Sequence, residues 1–374
     1  MTKYLKASVK LHDYIVTNHW NGKGIFGPDN GVRFNYRIGR FLKSYMRFIN
    51  WKDNYYYLQA QGYWVMGNWI LHDIWGEKKY SDIAMNCSSY VLERQQKDGY
   101  WEYPNPAWKG RITTVEGTFA ALGLLESYKR TNEKNFLNGA LKWYDFANRE
   151  VGYREFNDSL AINYFAKRTS ALVPNNSTLQ LMFLATLYEY TKKEQYLSFV
   201  DPLVKFIDYV QRQSGELPYA VSPESSNKIG MDHFLCYQYN AFQFLDLARC
   251  FDITQNPLIY GILRKLSLFL ANGLKENGSA KYDCFSNNPE VTYFTAAMAA
   301  ASLTGHRAKL GNLKNLSDKA YSRVLSVQKP DGRFHYSIKD YRFLSDRRPY
   351  PRALSMILYH LLLKAKECDK INHI

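Results

Sequence analysis

Cysteine is scarce in this chain. Five thiols in 374 residues (Cys87, Cys236, Cys250, Cys284 and Cys368) make an odd, widely spaced set with no CxxC pair. Such a set builds neither a disulfide framework nor a zinc site of familiar spacing, so the expectation is a reduced, cytoplasmic protein with no metal and no cofactor. Glycine (22) and proline (12) are thin and scattered, which excludes collagen-like and linker-rich designs. No apolar run approaches the roughly 18 residues of a membrane-spanning helix. The stretch from Met1 to Asp13 also lacks the apolar centre and small-residue cleavage site of a secretory leader. Acid is in deficit: 34 Asp+Glu face 49 Lys+Arg, a net charge of +15. That balance favours an anionic partner. The basic residues form only short runs, Lys192-Lys193 and Arg347-Arg348, which speaks against a nucleic-acid arm. The expected partner is therefore an anionic saccharide or another small anionic substrate.

Aromatic residues, by contrast, are abundant. The chain has 31 Tyr, 21 Phe and 8 Trp, 16% of its residues. Tyrosine in particular suits a wet cleft that stacks and hydrogen-bonds at once. Part of this content sits in a recurring turn: Gly99-Tyr-Trp-Glu-Tyr103, Gly152-Tyr-Arg-Glu-Phe156, Gly215-Glu-Leu-Pro-Tyr219, Gly278-Ser-Ala-Lys-Tyr282 and Gly332-Arg-Phe-His-Tyr336, with a looser copy from Gly31 to Tyr36. Two copies are introduced by Gln96-Lys-Asp-Gly99 and Gln328-Lys-Pro-Asp-Gly332, and Asp-Gly is a turn former because glycine accepts positive φ.

One amphipathic helical pattern precedes each turn, near 3–19, 79–95, 134–149, 196–213, 256–274 and 312–327. A second pattern follows, near 55–75, 113–130, 176–192, 236–253, 291–305 and 350–366, richer in small and apolar residues. Helices apolar on every side belong in a crowded inner layer. Short polar connections force antiparallel neighbours. Six outer and six inner helices without credible strands predict an all-α fold, a single (α/α)6 toroid of six helical hairpins. Residues 1–374 read as one domain, with 20–54 as an insertion in the first unit carrying an extra helix near 37–48.

The Gln-x-x-Asp-Gly-x-(Trp/Phe)-x-Tyr turns, the helix pairs and the count of six resemble the α/α-toroid proteins. That group includes six-hairpin glycosidases, toroidal uronate lyases and epimerases, and terpenoid cyclase and prenyltransferase relatives. The resemblance spans essentially the whole chain and is architectural, so it bears on fold more than on reaction. It implies a ligand in the funnel mouth, beside the N-termini of the inner helices. The Asp-x-Asp-Asp acid of protonating terpenoid cyclases is missing, as are an Asp-rich ionising motif and a Cys-His zinc set.

Residues at inner-helix starts and loop tips are then the candidates. In Met231-Asp-His-Phe-Leu-Cys-Tyr-Gln-Tyr-Asn240, the catalytic candidates are Asp232, His233 and Tyr239, and the binding candidates are Tyr237 and Asn240. An imidazole or phenol can take a proton α to a carboxylate, while a second group returns one and an Asn or Arg neutralises the enolate. Glu116, a charge in an apolar inner helix, must be paired or functional: it is a further catalytic candidate and Arg352 a binding candidate, with an ion pair between the two as the plain alternative. Asn176 reads either as a ligand contact or as a helix cap. Trp101, Tyr103, His335 and Tyr336 are expected at the mouth, stacking on sugar faces or pegging each turn to the next helix. The favoured reading is an acidic-saccharide enzyme of lyase, epimerase or glycosidase type. The alternatives are an isoprenoid cyclase or transferase relative and a non-catalytic scaffold.

Overall fold

The computed structural model describes residues 1–32, 38–46, 48–49, 51, 53–168, 170–222, 230–232, 236–285, 290–338 and 345–372. Its helices, in chain order, are α1 (Lys3–Asn18), α2 (Ile38–Tyr45), α3 (Leu58–Trp75), α4 (Lys78–Glu93), α5 (Thr114–Thr131), α6 (Lys134–Phe146), α7 (Pro174–Thr191), α8 (Val200–Val210), α9 (Cys236–Thr254), α10 (Pro257–Ala271), α11 (Thr292–Arg307), α12 (Lys314–Val327) and α13 (Pro351–Asn372). Helices α3, α5, α7, α9, α11 and α13 pack each on the next, and α13 returns to α3, so the inner ring closes. The remaining long helices form the outer ring, with α1 laid on α13. This is the predicted (α/α)6 toroid, and the extra helix of the first unit is α2.

Burial follows the two sequence patterns. In α8, Leu203, Val204, Phe206, Ile207 and Val210 are buried while Asp201, Lys205 and Tyr209 face solvent, the single stripe of an outer helix. In α11 every residue from Ala296 to Ala301 is fully buried. Small side chains let that inner helix touch neighbours on all sides.

The two ends of the toroid differ. Inner helices run into outer ones through short turns, where Gly76, Asn132, Lys192 and Gln255 adopt left-handed backbone and stop the helix. Outer helices run into inner ones through long loops, and these gather at the other end. The prediction of no strands needs correction here, because loop backbone pairs with itself. β1 (Tyr153–Phe156) and β2 (Ser159–Ile162) form a hairpin around Asn157 and Asp158, both at positive φ. β3 (Ala220–Ser222) pairs with β4 (Gly230–Asp232).

The recurring turn is a clamp between outer helices. Gly99, Gly215, Gly278 and Gly332 all have positive φ, and a Cβ on them would fall 2.1–2.7 Å from the backbone oxygens of Lys142, Lys265, Lys319 and Lys10. Each turn therefore rests on the next outer helix, and the last rests on α1. A glutamine four residues before the glycine ties three of the clamps. Gln95, Gln211 and Gln328 each donate to the carbonyl of their own turn glycine and to a carbonyl of the neighbouring helix (Gly139, Ile262 and Ala7). The counterpart of Gln328 is thus Gln95 and not Gln96, because the extra proline of the last copy offsets the sequence match by one.

Candidate active site at the mouth

The insertion in the first unit is bound to the last unit by charge. Its two acids, Asp29 and Asp53, are both held by arginines. Asp29, 1% exposed, takes a bidentate contact from Arg352 at 2.8 Å through both carboxylate oxygens. Asp53 accepts from Lys43 and Arg348, each at 2.6 Å. Burial pushes the Asp53 carboxyl up, but those two cations outweigh it and hold it below its usual range. The pairing expected between Glu116 and Arg352 is corrected: Arg352 forks onto Asp29, which the fold brings closer.

Glu116 caps a neighbouring helix. It lies in the first turn of α5 behind the Thr113 cap, and its Oε2 accepts from the amides of Leu58 and Gln59 in the first turn of α3. These are orphan donors with no partner inside their own helix. Complete burial raises the carboxyl to about 7, against the pull of nearby Arg352 and the two amides.

Around Arg352 stands a ring of phenols. Its guanidinium lies 4.6 Å from the Tyr57 ring centre. Tyr103 meets Tyr57 edge-on at 5.7 Å and stacks on Trp108 at 5.3 Å. Tyr219 and Tyr239 meet edge-on at 5.0 Å. Tyr293 accepts from Gln238 at 2.9 Å and lies 5.8 Å from Tyr336, whose hydroxyl accepts from Asn30 at 2.7 Å. Burial pushes Tyr239 well above the ordinary phenol value, opposed by Arg352. Tyr293 is held to about 12, with burial opposed by Arg352 and the Gln238 hydrogen bond. Tyr103, Tyr164, Tyr219, Tyr239, Tyr293 and Tyr336 are all half-buried, each with part of its surface open.

The chain is similar in structure to three solved carbohydrate-active proteins. A cellobiose 2-epimerase from Bacillus thermoamylovorans aligns over 96% of this chain and 99% of its own, with TM-score 0.74 and 12% identity. A possible member of the GH105 family from Salmonella enterica aligns over 98% and 95%, with TM-score 0.72 and 12% identity. An unsaturated glucuronyl hydrolase specific for heparin aligns over 100% and 97%, with TM-score 0.68 and 13% identity. This is the α/α-toroid fold of glycosidases, lyases and epimerases. No protein-family model matches the sequence, and no curated protein matches it. At such identities the likeness concerns architecture alone.

Within this toroid, the candidates divide. Glu116, Tyr103, Tyr239, Tyr336 and Arg352 converge on the mouth. Trp101 does not: it is 3% exposed, donates to the Val91 carbonyl at 2.9 Å and packs on Trp143. The second residue after four of the five turn glycines (Trp101, Leu217, Ala280, Phe334) is a buried peg, whereas Arg154 after Gly152 donates to the Ser170 carbonyl; the fourth residue joins the mouth rings at Tyr103, Tyr219 and Tyr336. Tyr282 instead lies against Phe294. Tyr237 stacks on Phe269 of α10 at 4.9 Å, facing the outer layer.

Asn240 bonds the amide and carbonyl of Leu217 and the carbonyl of Cys236, so its amide pins a loop. Gln61 holds Ile25 in the same way, while Thr295 accepts from the Ala280 amide. Asn176 is no cap, since α7 is preceded by Val173 and begins at Pro174; its side chain is buried with neither polar atom bonded. The His335 carbonyl accepts from Thr292 Oγ1 at 2.8 Å. His233 lies outside the described residues, and of Asp232 only the backbone, paired with Ala220, is described.

Sequence reasoning missed Asp29, Tyr57 and Tyr164. A signal for Asp29 did exist: Arg352 needs an acid, the ring places the first unit beside the last, and the insertion holds only two acids.

Proposed function

We propose that the protein is a carbohydrate-active enzyme working at the mouth on an acidic saccharide or glycoconjugate. It removes a proton α to a uronate carboxylate, as a lyase or an epimerase does. The reading rests on the ring of half-buried phenols around Arg352, set at the inner-helix N-termini. Phenol rings offer flat faces for sugar stacking and hydroxyls for proton relay. The Arg352 side chain is 21% exposed, and beyond the Asp29 fork its Nη1 makes only a long 3.4 Å contact with Gln59, which a substrate carboxylate would replace. His233 and Tyr239 are the proposed proton carriers, and Glu116 keeps the first turn of α3, with Tyr57 and Gln59, in register. Hydrolysis is less well served: glycosidases use two carboxyl groups about 5–9 Å apart with freedom to act. At the mouth, among the described residues, Asp29 is tied to Arg352 and Glu116 to two amides.

The deciding experiment incubates the protein with oligogalacturonate, oligoalginate and heparin oligosaccharides in heavy water. The expected result is either an unsaturated uronate or deuterium at C5 of the sugar, with Tyr239→Phe slower by about a hundredfold or more. Cleavage to saturated ends without exchange at C5 would replace this reading with hydrolysis.

A further inference from the structure

A cavity of about 550 Å³ enters from the opposite end of the toroid, where the inner helices finish, and reaches back to rings near the middle of those helices. Nothing in the proposed chemistry at the mouth uses it. Its volume lies in the range of small-molecule sites. One wall is a continuous set of rings: Phe119 to Tyr63 (4.9 Å), Tyr63 to Tyr359 (5.3 Å), Tyr359 to His360 (5.7 Å) and His360 to Phe242 (5.9 Å). Two polar groups lie deep within it. His360 is fully buried, with neither ring nitrogen hydrogen-bonded. The Asp246 carboxyl, in a residue only 8% exposed, accepts one hydrogen bond, from Thr178 Oγ1 at 3.2 Å. It has no cationic partner among the described residues.

Among the described residues, five cations stand around the cavity: Lys129 lies over the Tyr190 ring at 5.6 Å, Arg307 is near enough to Asp252 to oppose the rise that burial gives its carboxyl, and the other three are in ion pairs. Arg130 pairs with Asp73 and Glu126, Arg249 with Glu189, and Lys366 with Asp73. The cavity therefore presents an unpaired carboxyl, an unpaired imidazole and several electron-rich ring faces. Orphaned buried polar groups are costly, and a ligand that satisfies them recovers the loss. Aromatic faces beside a carboxyl are the recognition chemistry of an organic cation.

We propose that this cavity binds a compact organic ammonium ion, whose charge meets Asp246 and whose carbon surface lies against Tyr63, Tyr359 and Phe242. The imidazole of His360 supplies a neutral acceptor. Burial raises Asp246 to about 8, so in the free protein at neutral pH the carboxyl carries a proton. It gives that proton to the buffer when the cation enters. Four buried groups near Asp246 stay neutral around pH 7. Burial lifts Tyr63 of α3 far up and Tyr359 of α13 and Cys250 of α9 to about 12, and drops His360 to about 3. Glu126, Lys129 and Arg130 of α5, Tyr190 of α7, Arg249 and Asp252 of α9, Tyr260 of α10, Arg307 of α11 and Lys366 of α13 stand around the same cavity.

The test is calorimetric titration of the full chain with choline and with 3,3-dimethylbutanol, its uncharged carbon counterpart, in buffers of different ionisation enthalpy. Choline should bind with release of close to one proton, more tightly as pH rises towards 8, and well ahead of the neutral analogue. Asp246→Asn should weaken choline about a hundredfold while leaving the analogue unchanged. Should that variant not fold, Tyr359→Leu should weaken choline about tenfold. Equal binding of both probes, binding without proton release, or no binding of choline would overturn the proposal. None of those outcomes bears on the chemistry at the mouth.

Discussion

At the scale of single residues, Glu116 shows how burial and hydrogen bonding compete. Two amides and a nearby guanidinium favour its charged form, yet its folded value is raised to about 7 from 4.5. Desolvation wins. A carboxyl raised on folding contributes stability that is complete below its unfolded value and is lost as pH rises through its folded value. Glu116→Gln keeps an oxygen for the two amides and cannot ionise. The variant should therefore gain on the parent protein between pH 5 and 8, by about 2–3 kcal/mol at the upper end. Urea midpoints across that range check it, and parallel curves would mean that Glu116 is charged and comfortable in the fold. Asp246, raised in the same direction, forms a background common to both proteins.

At the scale of elements, the clamp between a turn and the next outer helix sets the spacing of the outer ring. Gly332 and Gly22 share a φ of +92°, so both pay the same backbone penalty for a side chain. Only Gly332 also has a neighbour: its Cβ would fall 2.1 Å from the Lys10 oxygen, whereas nothing lies within 4 Å of Gly22. Gly22→Ala should cost about 1 kcal/mol. Gly332→Ala should cost several times more and release α1, seen as faster amide exchange in residues 3–18. Similar losses for the two variants would show that the outer ring yields at this contact. The short turns at the other end were only partly legible in the sequence. Gly76 announces a helix stop, but Asn132, Lys192 and Gln255 take the same left-handed shape under tertiary constraint.

At the scale of the whole molecule, the ring must join its first unit to its last. Helix α13 packs on both α3 and α1, and the Asp29–Arg352 and Asp53–Arg348 contacts stitch the loops above that seam. Leaving one member of a buried ion pair unmatched costs about 3–5 kcal/mol. Asp29→Asn with Asp53→Asn should lower the melting temperature and loosen α1 and α13 ahead of α7 and α8 in hydrogen exchange. Uniform loss of protection around the ring would mean that helix packing alone holds the seam. The same net charge of +15 that suggests an anionic ligand gives a further check. Affinity for an acidic oligosaccharide should fall as salt rises, because the attraction is screened.

What the sequence alone determined is the periodic part of the protein. Helix positions, their division into one-sided and all-round apolar types, the turns between them and the sixfold count all repeat, and each repeat is dictated by neighbours a few residues away. The tertiary structure decided what meets what. Asp29 and Arg352 lie at opposite ends of the chain, and Asn240 looks like a ligand residue until Leu217 is found holding both ends of its amide. In three of the turns the fourth residue faces the mouth while the second is buried. These depend on ring closure, which sets the distances between loops that no local pattern encodes.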